Sequence, residues 1–246
     1  MSDHFRTVGF TLERSELESL LQRALEGGRR IEAPHGDYHV WAPGAGAELW
    51  VNLYRRDGRR ELAGANPHFA AQARMQVVIE ALEPNAEFAL EGAVYAWPAP
   101  GEEHALYPFS ASVPDFDASL AARDVPFRAV LALAGFANEL SWWPNPGAYR
   151  DALENEAIGF AEASFVPVGL FGHNTGRARS QCVVTGTIVA AETRINPVTE
   201  RAFALLRLET YGGEIDIVAS PDLVTGEPLA GGVARASCWL SARIVE

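Results

Sequence analysis

The segment 233-VARASCWLSARIV-245 decides the fold. Its small and apolar residues recur at every second position, which is the period of a β-strand with one buried face. One face contains Ala234, Ala236, Cys238, Leu240, Ala242 and Ile244, and the other contains Arg235, Ser237, Trp239, Ser241 and Arg243. The pattern predicts that Leu240 lies in a core and that Ser241 faces away from it. Replacing Ser241 by alanine should then change stability by no more than about 0.5 kcal/mol.

The residues before this strand have the spacing of a compact antiparallel unit. Strands are predicted at residues 181–195, 202–210 and 214–219, and a loop at 220–232 leads to the last strand. Gly186, at the centre of the first of these strands, predicts a bulge or a sharp bend. In architecture alone, residues 180–246 resemble a small OB-like barrel or a β-sandwich. No family motif accompanies this resemblance, so it implies no functional residues.

The remaining chain combines helices with strands. Residues 11–25 have a helical apolar stripe that ends at Gly27 and Gly28, and Asn66-Pro67 predicts the start of a short helix to about residue 73. Asn145-Pro146 predicts the start of another helix, to about residue 156. The predicted strands lie at residues 37–42, 48–54, 75–81, 88–96 and 160–171. Residues 127–140 are apolar on both faces and fit either a buried strand or a helix, and their Phe, Val and Leu content favours a strand.

These elements predict an α+β protein that is predominantly antiparallel β. An N-terminal helix-and-sheet region is followed by the C-terminal OB-like barrel or sandwich. The composition changes between residues 98 and 126, where proline and charged residues surround a short apolar stretch. We therefore expect a boundary there, which gives regions 1–117 and 118–246.

The composition excludes several chemistries. The chain has 20 positive side chains, all of them arginine, and no lysine. It therefore cannot form a Schiff base through lysine, carry a Walker-type phosphate loop or use a desolvated amine as a base. The net charge is −12, and neither residues 1–179 nor residues 180–246 are basic, so we expect neither nucleic acid nor a membrane surface as a partner.

The sequence also predicts the cellular location of the protein and the redox state of its two cysteines. The N-terminus has no apolar stretch of the secretory type, and the longest apolar run, residues 129–137, is too short to span a bilayer. We therefore expect a soluble, cytoplasmic protein. Cys182 and Cys238 both fall in predicted strands, and in that compartment a buried, reduced pair is favoured over a disulfide.

The segment around His35, Asp37 and His39 is the clearest candidate for a metal or acid–base site. Residues two apart on an extended chain point the same way, so two imidazoles and a carboxylate would align. However, Pro34 predicts a turn that would break this alternation, and a solvated or structural role is the alternative.

A second candidate is the outward face of the last strand. Arg235, Trp239 and Arg243, with Arg207 on a neighbouring strand, could stack on bases or bind carboxylates of a ligand. Acidic residues on the adjacent strands could instead neutralise the arginines, and Trp239 could pack against the other region.

Two further features favour packing over chemistry. The adjacent Trp142 and Trp143 cannot both enter one core from a strand, so at least one should cover a loop, an interface or a ligand. Asp115 and Asp117 precede an alanine-rich segment and are typical of a helix cap as well as of acid–base chemistry. The motifs GxSxG, HExxH, CxxC and GxGxxG are absent from the sequence.

The leading hypothesis is a non-enzymatic binding or interaction protein with no cofactor, acting on a protein partner or through self-association. The alternative is a metal-dependent or acid–base enzyme that uses His35, Asp37 and His39. Convergence of these three side chains in one pocket would favour the enzyme.

Overall fold

The computed structural model describes residues 4–11, 13–56, 58–99, 101, 106–154, 159–169 and 179–245. Its helices are α1 (Arg14–Gly27), α2 (Phe116–Ser119) and α3 (Pro146–Leu153), with short 3₁₀ turns at Arg6–Val8 and Pro221–Leu223. Its strands are β1 (Arg29–Ala33), β2 (Gly36–Gly44), β3 (Ala47–Arg56), β4 (Arg59–Phe69), β5 (Arg74–Pro84), β6 (Gly92–Pro98), β7 (Phe109–Val113), β8 (Phe127–Trp143), β9 (Ser164–Pro167), β10 (Gln181–Ile195), β11 (Ala202–Thr210), β12 (Gly213–Ala219) and β13 (Val233–Val245). The predicted predominance of β-structure is confirmed.

The small sheet is an antiparallel meander in the order β1-β2-β3-β4. Its last strand replaces the short helix that Asn66-Pro67 predicts, so that prediction is wrong. Pro67 pairs with Leu49 on β3, and β4 is an edge strand, where the missing N–H of a proline removes no ladder hydrogen bond on the open side. A local capping signal therefore yields to strand pairing.

The large sheet has nine strands and is organised around one ribbon. β13 pairs antiparallel with β8 from Val233–Trp143 to Val245–Val130. The strands β8, β12, β11, β10 and β13 pair in this order and form one closed ring with the ribbon. The strands β8, β5, β6, β7 and β13 form a second closed ring in the same way. The β12–β8 and β13–β7 pairings are parallel, and the other pairings are antiparallel.

This topology changes two expectations. Residues 180–246 supply β10 to β13, but their ring closes only through β8, so the segment does not form a barrel by itself. The strands β5 to β7 precede residue 117 and yet pair with β8 and β13. Residues 117 and 118, between which a boundary is expected, lie in α2, and strands of the large sheet precede and follow this helix. Composition does not reveal such long-range pairing.

Three buried apolar clusters stabilise the described part of the fold, and the smallest of them lies on the small sheet around Tyr38 and Trp50. The first fills the rings and includes Leu240 and Cys238, as the alternation of β13 predicts. The second joins α1 and β3 to the outer side of the large sheet, where Leu20, Leu49 and Phe136 meet. Each fully buried side chain of this kind contributes about 1.5–3 kcal/mol.

The outward face of β13 is not a solvent-exposed face along its whole length. Ser241 is only 1% exposed and accepts or donates a hydrogen bond at His68 of β4. The small sheet covers this part of the strand, so the expectation that Ser241 faces solvent is wrong. A period of two identifies two faces, but it does not say what packs on the second one.

Some local predictions are confirmed, and in other cases the predicted feature lies at different residues. α3 begins after Asn145, whose side-chain oxygen accepts a hydrogen bond from the Ala148 N–H at 2.9 Å. The irregularity in β10 lies between Ile188 and Ala190, not at Gly186. Gly186 is required for another reason, because a Cβ there would lie 2.4 Å from the Glu209 carbonyl oxygen. Of the strand predicted at 160–171, β9 is described, while residues 170 and 171 lie outside the described residues.

Cys182 and Cys238 are directly opposite each other on β10 and β13, with both thiols buried and their sulfur atoms 3.4 Å apart. Burial raises the pKa of Cys182 well above its ordinary value, and the neighbouring Cys238 adds to the effect. Within the described ranges, no helix has the length and apolar character needed to cross a membrane.

Candidate functional site

A cavity of about 600 Å³ lies between the small sheet and the large sheet. The small sheet contributes Trp50, Asn52 and Asn66, and the large sheet contributes Ser112, Trp239 and Ser241. The volume lies within the range of small-molecule sites, roughly 300–1,000 Å³. The cavity is the strongest candidate functional site in the molecule because it combines aromatic walls with many hydrogen-bonding groups.

The alternation of β3 builds one wall. Leu49 and Val51 face the apolar cluster beneath α1, so Glu48, Trp50 and Asn52 point to the opposite side. The Trp50 indole N–H donates to Glu48 Oε2 at 2.8 Å, and both side chains are buried. This hydrogen bond fixes the ring that forms part of the wall.

The outward residues of β13 build the facing wall. The Trp239 ring stacks on the His4 ring, with 4.7 Å between the centroids and 12° between the planes, and it also contacts Phe136. Burial lowers the pKa of His4 to about 4, so its imidazole is neutral at pH 7. The wall is therefore an uncharged aromatic surface.

His68 and Ser241 join the two sheets beside the cavity. The Nδ1 atom of His68 lies 2.7 Å from the Ser241 hydroxyl oxygen. Burial, with a smaller contribution from the Arg243 charge, lowers the pKa of His68 to about 3. A general base must accept a proton, and here the resulting imidazolium would be buried beside an arginine. The pair is thus suited to holding the sheets together and poorly suited to activating the hydroxyl.

Glu91 lies at the centre of an asparagine cluster on the cavity wall. Its Oε1 accepts hydrogen bonds from the amides of Asn66 at 3.0 Å and Asn52 at 3.4 Å, and its Oε2 accepts from Asn85 at 3.5 Å. Among the described side chains, Glu91 has no ion-pair partner. Its orientation is fixed by neutral donors, and its charge is not compensated by a cation.

Asn52 has an unsatisfied acceptor at the same place. The residue is only 2% exposed, and its Oδ1 has no hydrogen-bond partner. Its amide nitrogen already donates to Glu91, which determines the orientation of the side chain. A buried polar atom without a partner costs about 1–3 kcal/mol, so the position of Asn52 in the cavity wall lowers the stability of the fold locally.

A second carboxylate lies on the wall of the large sheet. Glu83 accepts a hydrogen bond from the Ser110 hydroxyl at 3.1 Å, and Ser110 lies 3.4 Å from the Ser180 hydroxyl. Within the part of the chain that the structure describes, no arginine lines the cavity. The lining is therefore rich in acceptors and negative in formal charge.

The four residues of the predicted outward face have different environments. Arg207 pairs with the buried Asp216, with N–O distances of 2.8 and 3.2 Å. This pair agrees with the alternative that acidic residues on adjacent strands neutralise the arginines. Arg235 lies over the rings of Trp143 and Phe160. Arg243 lies 5.4 Å from the Trp50 ring centroid and 3.5 Å from Asp115. Of the four predicted residues, Trp239 lines the cavity.

Trp142 and Trp143 pack against other parts of the same chain. The Trp142 indole N–H donates to the Thr225 carbonyl oxygen at 2.5 Å. The Trp143 ring lies edge-on to Tyr149 of α3, with 4.8 Å between the centroids. One tryptophan thus covers the loop that precedes β13, and the other covers a helix.

His35, Asp37 and His39 have separate environments. Asp37 is fully buried and pairs with Arg30 at 2.8 Å and Arg60 at 2.6 Å. Burial alone would raise the pKa of Asp37, but the two arginines hold it below its ordinary value. The His35 side chain is 60% exposed and lies 2.9 Å from Asp117 on α2. The described residues include no group of three His, Cys, Asp or Glu side chains arranged to hold a metal ion.

Sequence reasoning missed most of the cavity. The sequence pattern predicts a helix cap at Asn66, and neither Asn85 nor Glu91 belongs to a functional motif. One signal of the cavity is present in the sequence. On β3 the apolar Leu49 and Val51 alternate with Trp50 and Asn52, and large side chains on both faces indicate that both faces of the strand are covered. Comparison of the chain with protein-family models, curated proteins and solved structures gives no match.

Proposed function

We propose that this protein binds a small polar organic molecule in the cavity between its two sheets, without transforming it. The observation that carries the proposal is the cavity itself, which is large enough for a ligand and is lined by the Trp239 ring together with serine, asparagine and carboxylate groups. A ligand with hydroxyl or N–H groups would form hydrogen bonds with these polar groups.

The surrounding groups support the same function. The Trp239 ring provides an apolar face, while the Ser112 hydroxyl provides a hydrogen-bonding group. Small-molecule sites combine an apolar surface with a few polar groups that orient the ligand. The low pKa of His68 favours binding over catalysis, because it deprives the one serine–histidine pair at the cavity of an effective base.

The proposal is tested with a panel of small amines, polyols, carboxylates and phosphates, titrated against the protein by calorimetry and tryptophan fluorescence. We expect at least one class to bind with a Kd of about 1 mM or tighter. Ser112→Phe, which places a ring in the cavity, should abolish that binding. Ser141→Phe, at an exposed position of β8, is the matched control and should preserve it. Binding that survives in Ser112→Phe, or a panel without a single binder, would refute the proposal.

A further inference from the structure

We infer that the ligand is an organic cation, an amine or a guanidinium compound, whose charged group pairs with Glu91. This inference rests on the proposed function and specifies the chemistry of the same cavity. It starts from the carboxylate itself, which three asparagine amides hold and no described cation neutralises.

The acceptor that a ligand would meet at this cluster is the Glu91 carboxylate. Asn52, Asn66 and Asn85 each direct an amide N–H at Glu91, and the Asn85 carbonyl oxygen already accepts the backbone N–H groups of Glu87 and Phe88. A protonated amine or a guanidinium has several N–H donors and no acceptor. It therefore matches an ionised carboxylate, with which charge-assisted hydrogen bonds are strong.

The charge balance favours a cation over a neutral ligand. A ligand that fills the cavity removes water from Glu91, and a carboxylate that loses water without gaining a counter-charge is costly. A polyol would leave that cost in place, whereas an ammonium group would offset it. A phosphate or carboxylate ligand would meet the charge of Glu91 with no arginine among the described lining residues.

The aromatic walls are also compatible with a cation. Trp239 lines the cavity, and the faces of aromatic rings attract organic cations, with tryptophan the strongest of them. The neutral state of His4, which stacks on Trp239, adds no opposing charge. The carboxylate fixes the charged end of the ligand, and the rings contact its apolar part.

The test compares pairs of probes that differ in charge and share their shape. Phenethylamine is measured against 2-phenylethanol, with spermidine and agmatine as further cations and myo-inositol as a neutral polyol. We expect an amine to bind at least about tenfold more tightly than its neutral partner, because a buried charge pair contributes strongly to affinity. Raising NaCl from about 0.05 M to 0.5 M should weaken amine binding severalfold and leave neutral probes unchanged.

Variants locate the charge. Glu91→Gln preserves the size of the side chain and an oxygen acceptor for the asparagines, and it should weaken amine binding at least about tenfold. Glu87→Gln, an exposed residue in the same loop, is the control and should leave binding unchanged. Circular dichroism and thermal melting establish that the variants are folded, and the salt dependence of the natural protein does not rely on any variant.

The outcomes distinguish a failure of this inference from a failure of the proposed function. In one outcome, polyols bind, Ser112→Phe abolishes their binding and Glu91→Gln does not affect it. The cavity is then a ligand site, but its ligand is not a cation. If amines bind equally well to the natural protein and to Glu91→Gln, the role assigned to Glu91 is refuted. If neither amines nor any other probes bind, both proposals fail.

Discussion

His68 Nδ1 lies 2.7 Å from the Ser241 hydroxyl and thereby connects β4 of the small sheet to β13 of the large sheet, across 173 residues of sequence. Both residues are buried, and the contact borders the candidate ligand cavity. The relative position of the two cavity walls therefore depends in part on one neutral imidazole.

Acidification should destabilise the protein through His68. Burial lowers the pKa of His68 in the folded state to about 3, below the ordinary value of 6.5, so its contribution to stability is complete above pH 6.5 and declines as pH falls toward 3. Between pH 7.5 and 5, protonation of this side chain in the unfolded state alone removes up to about 2 kcal/mol. Urea unfolding at both pH values measures the loss, and His68→Gln should reduce it. An unchanged pH dependence in that variant would contradict the assignment.

Ser241→Ala should be more harmful than the sequence pattern suggests. The change leaves His68 Nδ1 buried without its partner, which costs about 1–3 kcal/mol. Leu240→Ala, at the neighbouring core position, should cost about 2–5 kcal/mol because it removes buried methyl groups and creates a cavity. Chemical denaturation of the two variants and the natural protein provides the comparison. A loss below about 0.5 kcal/mol for Ser241→Ala would restore the original expectation of a solvent-facing serine.

Asp216→Asn should strongly destabilise the large sheet. The fully buried carboxylate accepts backbone hydrogen bonds from Gln72 at 2.6 Å and Ala73 at 3.0 Å, in addition to its ion pair with Arg207. Removing its charge weakens all of these interactions, and we expect a loss of about 2–4 kcal/mol, measured by urea unfolding.

Glu214→Gln is the matched control for this change. Glu214 lies on the same strand, 4.0 Å from the same arginine, but its side chain is 42% exposed. An exposed pair of this kind contributes about 0–1 kcal/mol. Equal losses for Asp216→Asn and Glu214→Gln would show that burial and the backbone hydrogen bonds of Asp216 do not matter.

The two cysteines should be unreactive in the folded protein. Both thiols are buried, and the raised pKa of Cys182 keeps it in the poorly nucleophilic protonated form. A thiol reagent such as DTNB should therefore modify both residues promptly in guanidinium chloride and only slowly in native buffer. Rapid modification of the native protein would mean that β10 and β13 separate easily.

The success of sequence reasoning depended on the range of the interactions involved. The Asn145 cap involves an N–H three residues away, and it was predicted correctly. The inward face of β13 follows from its own alternation, and it was also predicted correctly. At Asn66-Pro67 the same kind of local signal failed, because pairing with β3 outweighs the preference for a cap.

The candidate site depends on contacts that no local pattern encodes. Asn52, Asn66, Asn85 and Glu91 come from β3, β4 and the segment between β5 and β6, and they meet only because the two sheets face each other. Trp239 was found because its strand is regular, but the residues opposite it could not be identified. How one sheet packs on another is determined by tertiary contacts between distant segments.

The ribbon of β8 and β13 has a consequence for how the chain acquires its structure. β13 is the last strand, and both rings close through it. During synthesis, which proceeds from the N-terminus, β8 can pair with the earlier strand β5, but its pairing with β13 must wait for a strand that begins about 90 residues after β8 ends. Contacts this distant in sequence slow folding, and an unpaired strand edge promotes aggregation in the meantime. The pairing of β8 with β13 should therefore be a slow step of folding, during which β8 is prone to aggregation.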